Sequence, residues 1–212
     1  MNLQNIKSAY LYEDEHGQAY LNALIFSSWM ADSGEDIKNV FSTLAFSFKE
    51  MGLSIIRVYY DSETLYGFVY LAKPQQNVNA TRIHYMAVNP KYRNMGVGSF
   101  MLNDIKSGFE VINLVSANSA LNFYKKNGFF EGGLNKDNQK IMFFSQGEKN
   151  LEVLNEWRFY ICALDGKKVS MDWDSAKKAF LGQLRSDMGE ESFQQMIKAQ
   201  GVNLSLIERT AP

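Results

Sequence analysis

Residues 85–99 read Tyr85-Met86-Ala87-Val88-Asn89-Pro90-Lys91-Tyr92-Arg93-Asn94-Met95-Gly96-Val97-Gly98-Ser99. The residues up to Val88 predict a strand, which stops at Asn89-Pro90 because proline cannot donate to a β-ladder. A loop with two glycines follows and opens a helix. Glycines let the main chain approach a ligand closely, and a helix N-terminus carries a partial positive charge. The pattern predicts a phosphate-binding loop, to which the Arg93 guanidinium adds a charge-assisted hydrogen bond.

A second motif follows in the sequence Asn118-Ser119-Ala120-Leu121-Asn122-Phe123-Tyr124-Lys125-Lys126-Asn127-Gly128-Phe129. Taken alone, the first motif is equally explained by a tight glycine turn before a structural helix, since short glycine patterns are common. The combination of Arg-x-x-Gly-x-Gly with Asn-x-Ala-x-x-Phe-Tyr-x-x-x-Gly-Phe, however, resembles the GCN5-related N-acetyltransferase (GNAT) family. The resemblance covers roughly residues 1–145 and is most specific at these two motifs.

The order of predicted elements is similar to that of the same family. Periodicity and turn signals predict, in chain order, a strand at Ser8–Tyr12, a helix over 21–29, a helix at Ile37–Phe48, strands at Ser54–Tyr60, Leu65–Leu71 and Arg82–Val88, a helix at Ser99–Lys106, a strand at Val111–Val115, a helix at Ser119–Lys126, and strands at Phe129–Glu131 and Lys140–Phe144. Hairpins mixed with helices predict an α+β (mixed α/β) fold. The resemblance implies a mostly antiparallel, splayed central sheet flanked by helices.

A polar segment at residues 146–150 suggests a boundary between a domain at 1–147 and a smaller unit at 148–212. The smaller unit predicts a hairpin around Asp165-Gly166, a helix ending at Gly189 and a shorter helix ending at Gly201. A last strand at Val202–Ile207 is also compatible with the sequence. This ββαα unit is small for an independent core, so we expect it to pack on the first domain.

The resemblance implies that the first motif binds acetyl-CoA, which acts as the acyl donor. The cofactor diphosphate would contact main-chain N–H groups of the loop, namely those of Arg93, Asn94, Met95, Gly96, Val97, Gly98 and Ser99. The pantetheine arm would pair like an extra strand with Met86, Ala87 and Val88. The N–H of Val88 would then stabilise the oxyanion that develops on the thioester, and Asn118 would bond the pantetheine arm.

Two residues are candidates for proton transfer. Tyr124 matches the usual general acid of the family and would protonate the departing thiolate, although a half-buried structural aromatic explains it too. His84 is the candidate base, because imidazoles ordinarily titrate near neutral pH. It lies four residues before Val88 on the predicted strand and hence on the same face. A structural histidine, or a base acting through water, remains an alternative.

The composition limits the partners of the protein. Lys plus Arg is 22 and Asp plus Glu is 23, and so small a net charge argues against a general nucleic-acid binder. The single cysteine, Cys162, excludes an internal disulfide, and the apolar runs are too short to span a membrane. We therefore expect a cytoplasmic protein with no membrane anchor. Two histidines and one cysteine predict no metal site.

The leading hypothesis is an N-acetyltransferase that moves an acetyl group directly from acetyl-CoA to a small-molecule or peptide amine. A second hypothesis is a non-catalytic module that binds acyl-CoA and contacts a partner through residues 148–212. A third, a toxin-like transferase acting on charged tRNA, is disfavoured by the charge balance. The sequence leaves the acceptor amine unassigned and a homodimer open.

Overall fold

The structure, a computed structural model, describes residues 3–11, 18–31, 34–37, 40–41, 43–44, 54–62, 64–72, 79–147, 182 and 185–202. The strands are β1 (Lys7–Leu11), β2 (Ser54–Tyr60), β3 (Leu65–Ala72), β4 (Ala80–Val88), β5 (Val111–Ser116), β6 (Phe130–Leu134) and β7 (Lys140–Ser145). The α-helices are α1 (Gln18–Ala31), α2 (Val97–Gly108), α3 (Leu121–Lys126) and α4 (Glu190–Ala199). Short 3₁₀ helices occupy Leu3–Asn5, Pro90–Tyr92 and Asn118–Ala120.

The seven strands form one sheet in the order β1-β2-β3-β4-β5-β7-β6. Every neighbouring pair is antiparallel except β4 and β5, which run parallel. A parallel pair needs a crossover connection, and α2 provides it between these two strands. The predicted α+β fold with a mostly antiparallel sheet is therefore confirmed.

Helices cover both faces of the sheet. On one face, a first core cluster joins α1 to the sheet and includes four residues of the predicted helix at 37–48, namely Ile37, Val40, Phe41 and Leu44. On the other face, a second core cluster is formed by the apolar side of α2, namely Val97, Met101, Leu102 and Ile105. The periodicity that predicted an apolar helical face within residues 37–48 thus corresponds to real burial at its four residues in the first core cluster. Ala45 and Phe48 lie outside the described residues.

The helix α4 packs against α1. Its residues Phe193 and Ile197 are buried in the first core cluster, which also contains Trp29, whose side chain is fully buried. Residues 22–30 of α1 are all buried, the polar residues Asn22, Ser27 and Ser28 among them, so this helix is covered on all sides. The expected packing of the C-terminal unit on the first domain is confirmed for α4. The predicted hairpin at 158–173 and strand residues 203–207 lie outside the described residues.

The sheet opens between β4 and β5. Residues Ala80–Ile83 of β4 pair with Val111–Leu114 of β5, and the register between the two strands ends there. Beyond that point β4 continues to pair with β3 as far as Val88, while β5 continues to pair with β7 as far as Ser116. The two strands therefore diverge, as the resemblance implied, and the diverging edge of β4 leads directly to the glycine loop.

Candidate active site

The glycine loop presents the N-terminus of α2 without a side-chain cap. Gly96 is the N-cap residue and has a φ of 84°, a left-handed conformation that glycine adopts without strain. The first hydrogen bond of the helix runs from the Phe100 N–H to the Gly96 carbonyl oxygen, at 3.0 Å. Three N–H groups precede that bond and have no acceptor within the helix, namely those of Val97, Gly98 and Ser99. An anion can therefore accept hydrogen bonds from them. The helix begins two residues earlier than Ser99, because Gly96 makes the turn.

The edge of β4 directs main-chain groups into the opening beside β5. The Asn89 N–H donates to the Tyr66 carbonyl oxygen across the β3–β4 pair, at 2.8 Å. Main-chain groups alternate in direction along a strand, so the odd-numbered residues face β3, and Met86 and Val88 face the other way. The Val88 carbonyl oxygen accepts from Arg93 Nε at 3.4 Å. The N–H groups of Met86 and Val88 thus point into the gap where the resemblance implies an extra strand.

A cleft of about 480 Å³ connects the opening to the glycine loop. It is lined by Met86, Ala87, Val88, Arg93, Asn94, Gly96, Gly98, Ser99, Ser119, Ala120, Phe123 and Tyr124. The two sequence motifs, distant in the chain, therefore form the two walls of a single cleft. Sequence reasoning did not single out Ser119, Ala120 and Phe123, although all three lie within the second motif.

Three of the predicted cofactor-binding residues do not line the cleft with their side chains, and neither does the predicted base His84. Val97 is buried in the second core cluster, and only its N–H was expected to reach the cofactor. Met95 is 53% exposed. Asn118 is exposed at the start of its 3₁₀ helix, next to Ser119 of the cleft wall. The contact of Asn118 with the pantetheine arm stays a prediction.

The walls of the cleft meet at Gly98. A Cβ atom at this position would lie 3.0 Å from Cζ of Phe123 and 3.6 Å from Cγ2 of Val88. The first distance is tighter than an ordinary van der Waals contact, so α2 can approach α3 and β4 this closely because Gly98 has no side chain. Glycine at position 98 is therefore explained by the packing of α2 as well as by cofactor binding.

Tyr124 is half-buried at the wall of the cleft. Its ring makes edge contacts with Phe123 and Phe129, at centroid distances of 5.1 and 5.6 Å. Burial raises the pKa of Tyr124 to about 12, because the phenolate would lose its hydration. The hydroxyl therefore remains protonated throughout the neutral range and is available as a donor.

Ion pairs anchor α3 beside the sheet. Lys125 Nζ lies 2.6 Å from Oε1 of Glu131, and Lys140 Nζ lies 2.9 Å from Oε2 of the same carboxylate. Hydrogen bonds from these two lysines lower the pKa of Glu131 to about 2. Lys125, next to Tyr124 in the chain, is thus paired with Glu131 of β6.

His84 lies at a β-bulge of β4. Tyr85 pairs with Tyr70 and Ile83 pairs with Leu71, so His84 is the extra residue. Its ring contacts Tyr70 at 5.4 Å and Tyr85 at 4.6 Å, and both tyrosines pack with the first core cluster.

Val88 and Tyr124, by contrast, pack with the second core cluster, on the opposite face of the sheet. The expectation that His84 shares a face with Val88 is wrong, because the bulge interrupts the two-residue period. His84 instead lies where the β4–β5 register ends, so it borders the gap from the face opposite Tyr124.

Residues 53–131 match a family model described as an acetyltransferase (GNAT) domain. Among solved structures, an acetyltransferase from Thermus thermophilus superposes with a TM-score of 0.55 at 11% identity, covering 68% of this chain and 99% of that one. The GCN5 protein of Tetrahymena superposes with a TM-score of 0.52 at 13% identity, covering 66% and 96%. A variant of the spermidine N-acetyltransferase SpeG from Vibrio cholerae gives 0.51 at 16% identity, covering 68% and 95%. A search of curated protein sequences gave no significant match.

Residues 53–131 therefore match a GNAT acetyltransferase domain, and the chain has the fold of the solved structures above. The matched residues contain both motifs of the cleft. The helix α4 lies outside the matched range. Within the part of the chain that the structure describes, no helix is long and apolar enough to cross a bilayer.

Proposed function

We propose that this protein is an acyl-CoA-dependent N-acetyltransferase that transfers an acetyl group from acetyl-CoA to an amine of a small molecule or peptide. The observation that carries the proposal is the continuity of the cleft. It joins the uncapped N-terminus of α2 to the open edge of β4, so one extended ligand can contact both. A structural neighbour that acetylates spermidine supports an amine as the acceptor.

The loop and the strand fit the two chemically different parts of acetyl-CoA. The main-chain N–H groups from Arg93 to Ser99 would hold the diphosphate, whose charge is favoured at a helix N-terminus. The pantetheine arm carries amides, which pair with the outward main-chain groups of Met86 and Val88 as a further strand would. The Val88 N–H would stabilise negative charge on the thioester oxygen. Asn118 would hydrogen bond the arm from the rim.

Tyr124 would donate its proton toward the sulfur as the carbon–sulfur bond breaks. Its raised pKa keeps the hydroxyl protonated, so the donor is present in every molecule at neutral pH. A thiol of pKa about 8.5 is already a good leaving group. The contribution of Tyr124 is therefore to the rate, and the reaction persists more slowly without it.

His84 would accept the proton that the amine loses on forming the new carbon–nitrogen bond. The amine must be neutral to attack, and an imidazole can take up its proton directly or through a water molecule. Since His84 borders the gap from the face opposite Tyr124, the acceptor would enter from that face. The proton donor and the base then stand on either side of the reacting atoms.

The experiment is a thiol-release assay with acetyl-CoA and a panel of amines: polyamines, aminoglycosides, amino acids, arylalkylamines and peptides. The proposal predicts CoA release that depends on one of these amines, with the acetylated amine as the second product. Tight binding of acetyl-CoA without turnover on any amine would favour the acyl-CoA-binding module instead. In that case residues 148–212, proposed as a separate unit, become the partner-binding part.

A further inference from the structure

The C-terminal end of α4 lies against the segment between β4 and the glycine loop. Gly201 follows α4 with a φ of 67°, which glycine tolerates and other residues rarely adopt. A Cβ atom at Gly201 would lie 2.6 Å from Oδ1 of Asn89 and 3.4 Å from Cδ of Pro90. The backbone of Gly201 is therefore packed directly against Asn89, with no room for even a methyl group.

Asn89 is the residue that fixes the direction of the chain as it leaves β4. Its side chain is fully buried. Oδ1 accepts from the Lys91 N–H at 3.1 Å and caps the 3₁₀ helix Pro90–Tyr92, while Nδ2 donates to the Leu65 carbonyl oxygen at 3.0 Å. A displacement of Asn89 would thus be transmitted to the 3₁₀ helix and then to Arg93, where the loop begins.

Two hydrogen bonds hold the same end of α4 in place. The indole Nε1 of Trp29 donates to the Gln200 carbonyl oxygen at 2.9 Å, and Lys91 Nζ donates to the Ala199 carbonyl oxygen at 3.2 Å. Carbonyl oxygens at a helix C-terminus lack partners within the helix and carry partial negative charge, so both donors are well placed. The Trp29 carbonyl oxygen also accepts from Arg93 Nη2 at 3.3 Å. Trp29 therefore contacts both α4 and the loop.

We propose that the C-terminal end of α4 is part of the cofactor-binding apparatus, and that Gly201 is a positioning residue for the diphosphate loop. Gly201 acts through Asn89 and does not itself touch the cleft. This inference rests on the proposed function, since it assumes that the loop binds CoA. It assigns a role in cofactor binding to a segment that lies outside the matched GNAT domain.

The first test is calorimetric titration of coenzyme A into the full chain and two variants, Gly201→Ala and Gly189→Ala. Gly189 precedes α4 and also has a positive φ, 79°, but a Cβ atom there has nothing within 4 Å. Both variants strain the backbone, and only Gly201→Ala displaces Asn89. We expect Gly201→Ala to bind CoA at least about fivefold more weakly, and Gly189→Ala to stay within about twofold of wild type. Equal affinities of the two folded variants would overturn the inference.

The second test uses the wild-type chain and does not depend on whether a variant folds. Coupling between two sites is reciprocal, so CoA bound at the loop must stabilise the docking of α4. Hydrogen exchange of amides 193–199 should slow when CoA is added at saturating concentration. Unchanged exchange in α4 beside slowed exchange in the loop would overturn the inference and leave the proposed function intact. Absence of CoA binding to the wild-type chain would overturn both.

Discussion

Arg93 Nη2 donates a hydrogen bond to the Trp29 carbonyl oxygen over 3.3 Å, linking the glycine loop to the last turns of α1. The same guanidinium donates from Nε to the Val88 carbonyl oxygen at 3.4 Å. Arg93 therefore connects the end of β4, the loop and α1. The sequence suggested a guanidinium aimed at phosphate; the structure adds a role in holding the loop against its surroundings.

Replacement of Arg93 by lysine should weaken coenzyme A binding although it keeps the positive charge. A single ammonium group cannot reproduce the planar fork that reaches two carbonyl oxygens. We expect Arg93→Lys to lose about tenfold in CoA affinity and about 1–2 kcal/mol in the free energy of unfolding, measured by calorimetry and urea denaturation. Lys126→Met, which removes an exposed charge from α3, is the control. An Arg93→Lys protein with wild-type affinity and stability would show that the hydrogen bonds from Arg93 to Trp29 and Val88 contribute to neither.

Gly98→Ala should impair cofactor binding while Gly108→Ala should not. Both glycines lie in α2, where alanine gains about 0.5–1 kcal/mol of helix stability over glycine. At Gly98 the new methyl group would meet the ring of Phe123 at 3.0 Å, whereas at Gly108 nothing lies within 4 Å. Displaced, Phe123 would narrow the cleft, so CoA affinity should fall about tenfold or more for Gly98→Ala only. Matching affinities for the two variants would contradict the description of the cleft.

Tyr124→Phe should slow turnover about 10- to 100-fold and leave CoA affinity unchanged, because the hydroxyl acts only on the leaving sulfur. Tyr10→Phe, at an exposed position remote from the cleft, is the matched control. The pKa of Tyr124 is raised from 10 to about 12, so the neutral donor persists above the pH at which an ordinary tyrosine ionises. The wild-type to Tyr124→Phe rate ratio should thus stay constant from pH 7 to about pH 10.5. A ratio that falls toward one above pH 9 would argue against a protonated, buried donor.

His84→Gln should lower kcat/KM for the amine about 100-fold while CoA binding stays within about twofold. Glutamine keeps polar atoms near Tyr70 and Tyr85 but cannot take up a proton. The wild-type pH–rate profile should show an acidic limb that is absent in His84→Gln and present in His16→Gln, which replaces the second histidine of the sequence. If the acidic limb of the pH–rate profile is also present in His84→Gln, the base is another group.

The elements that could be predicted from the sequence are those set by residues close together in the chain. The apolar spacing of Ile37, Val40, Phe41 and Leu44 predicted a buried helical face, and all four residues are buried. The β4–loop–α2 unit was predicted from a proline, which ends a strand, and from glycines, which allow main-chain conformations that other residues rarely adopt. The second motif was recognised only together with the first, through the resemblance of the pair to the GNAT family.

Features that depend on contacts between distant residues were not predictable. The bulge at His84 arises from the register between β3 and β4, and the residues Ile83-His84-Tyr85 contain no glycine to announce it. A strict two-residue period therefore placed His84 on the wrong face. The close contact of Gly201 with Asn89 likewise follows from how α4 packs on α1, and a glycine after a helix predicts only that the helix ends there.

Main-chain amides of the glycine loop and of the β4 edge should together bind one coenzyme A molecule. Titration of CoA into ¹⁵N-labelled protein, with amide chemical shifts followed residue by residue, tests this binding mode. We expect saturable shifts that are largest at Gly96, Gly98 and Ser99, and at Met86 and Val88 of the open strand edge. Unchanged shifts at all five amides with CoA at millimolar concentration, or large shifts confined to another face of the sheet, would contradict it.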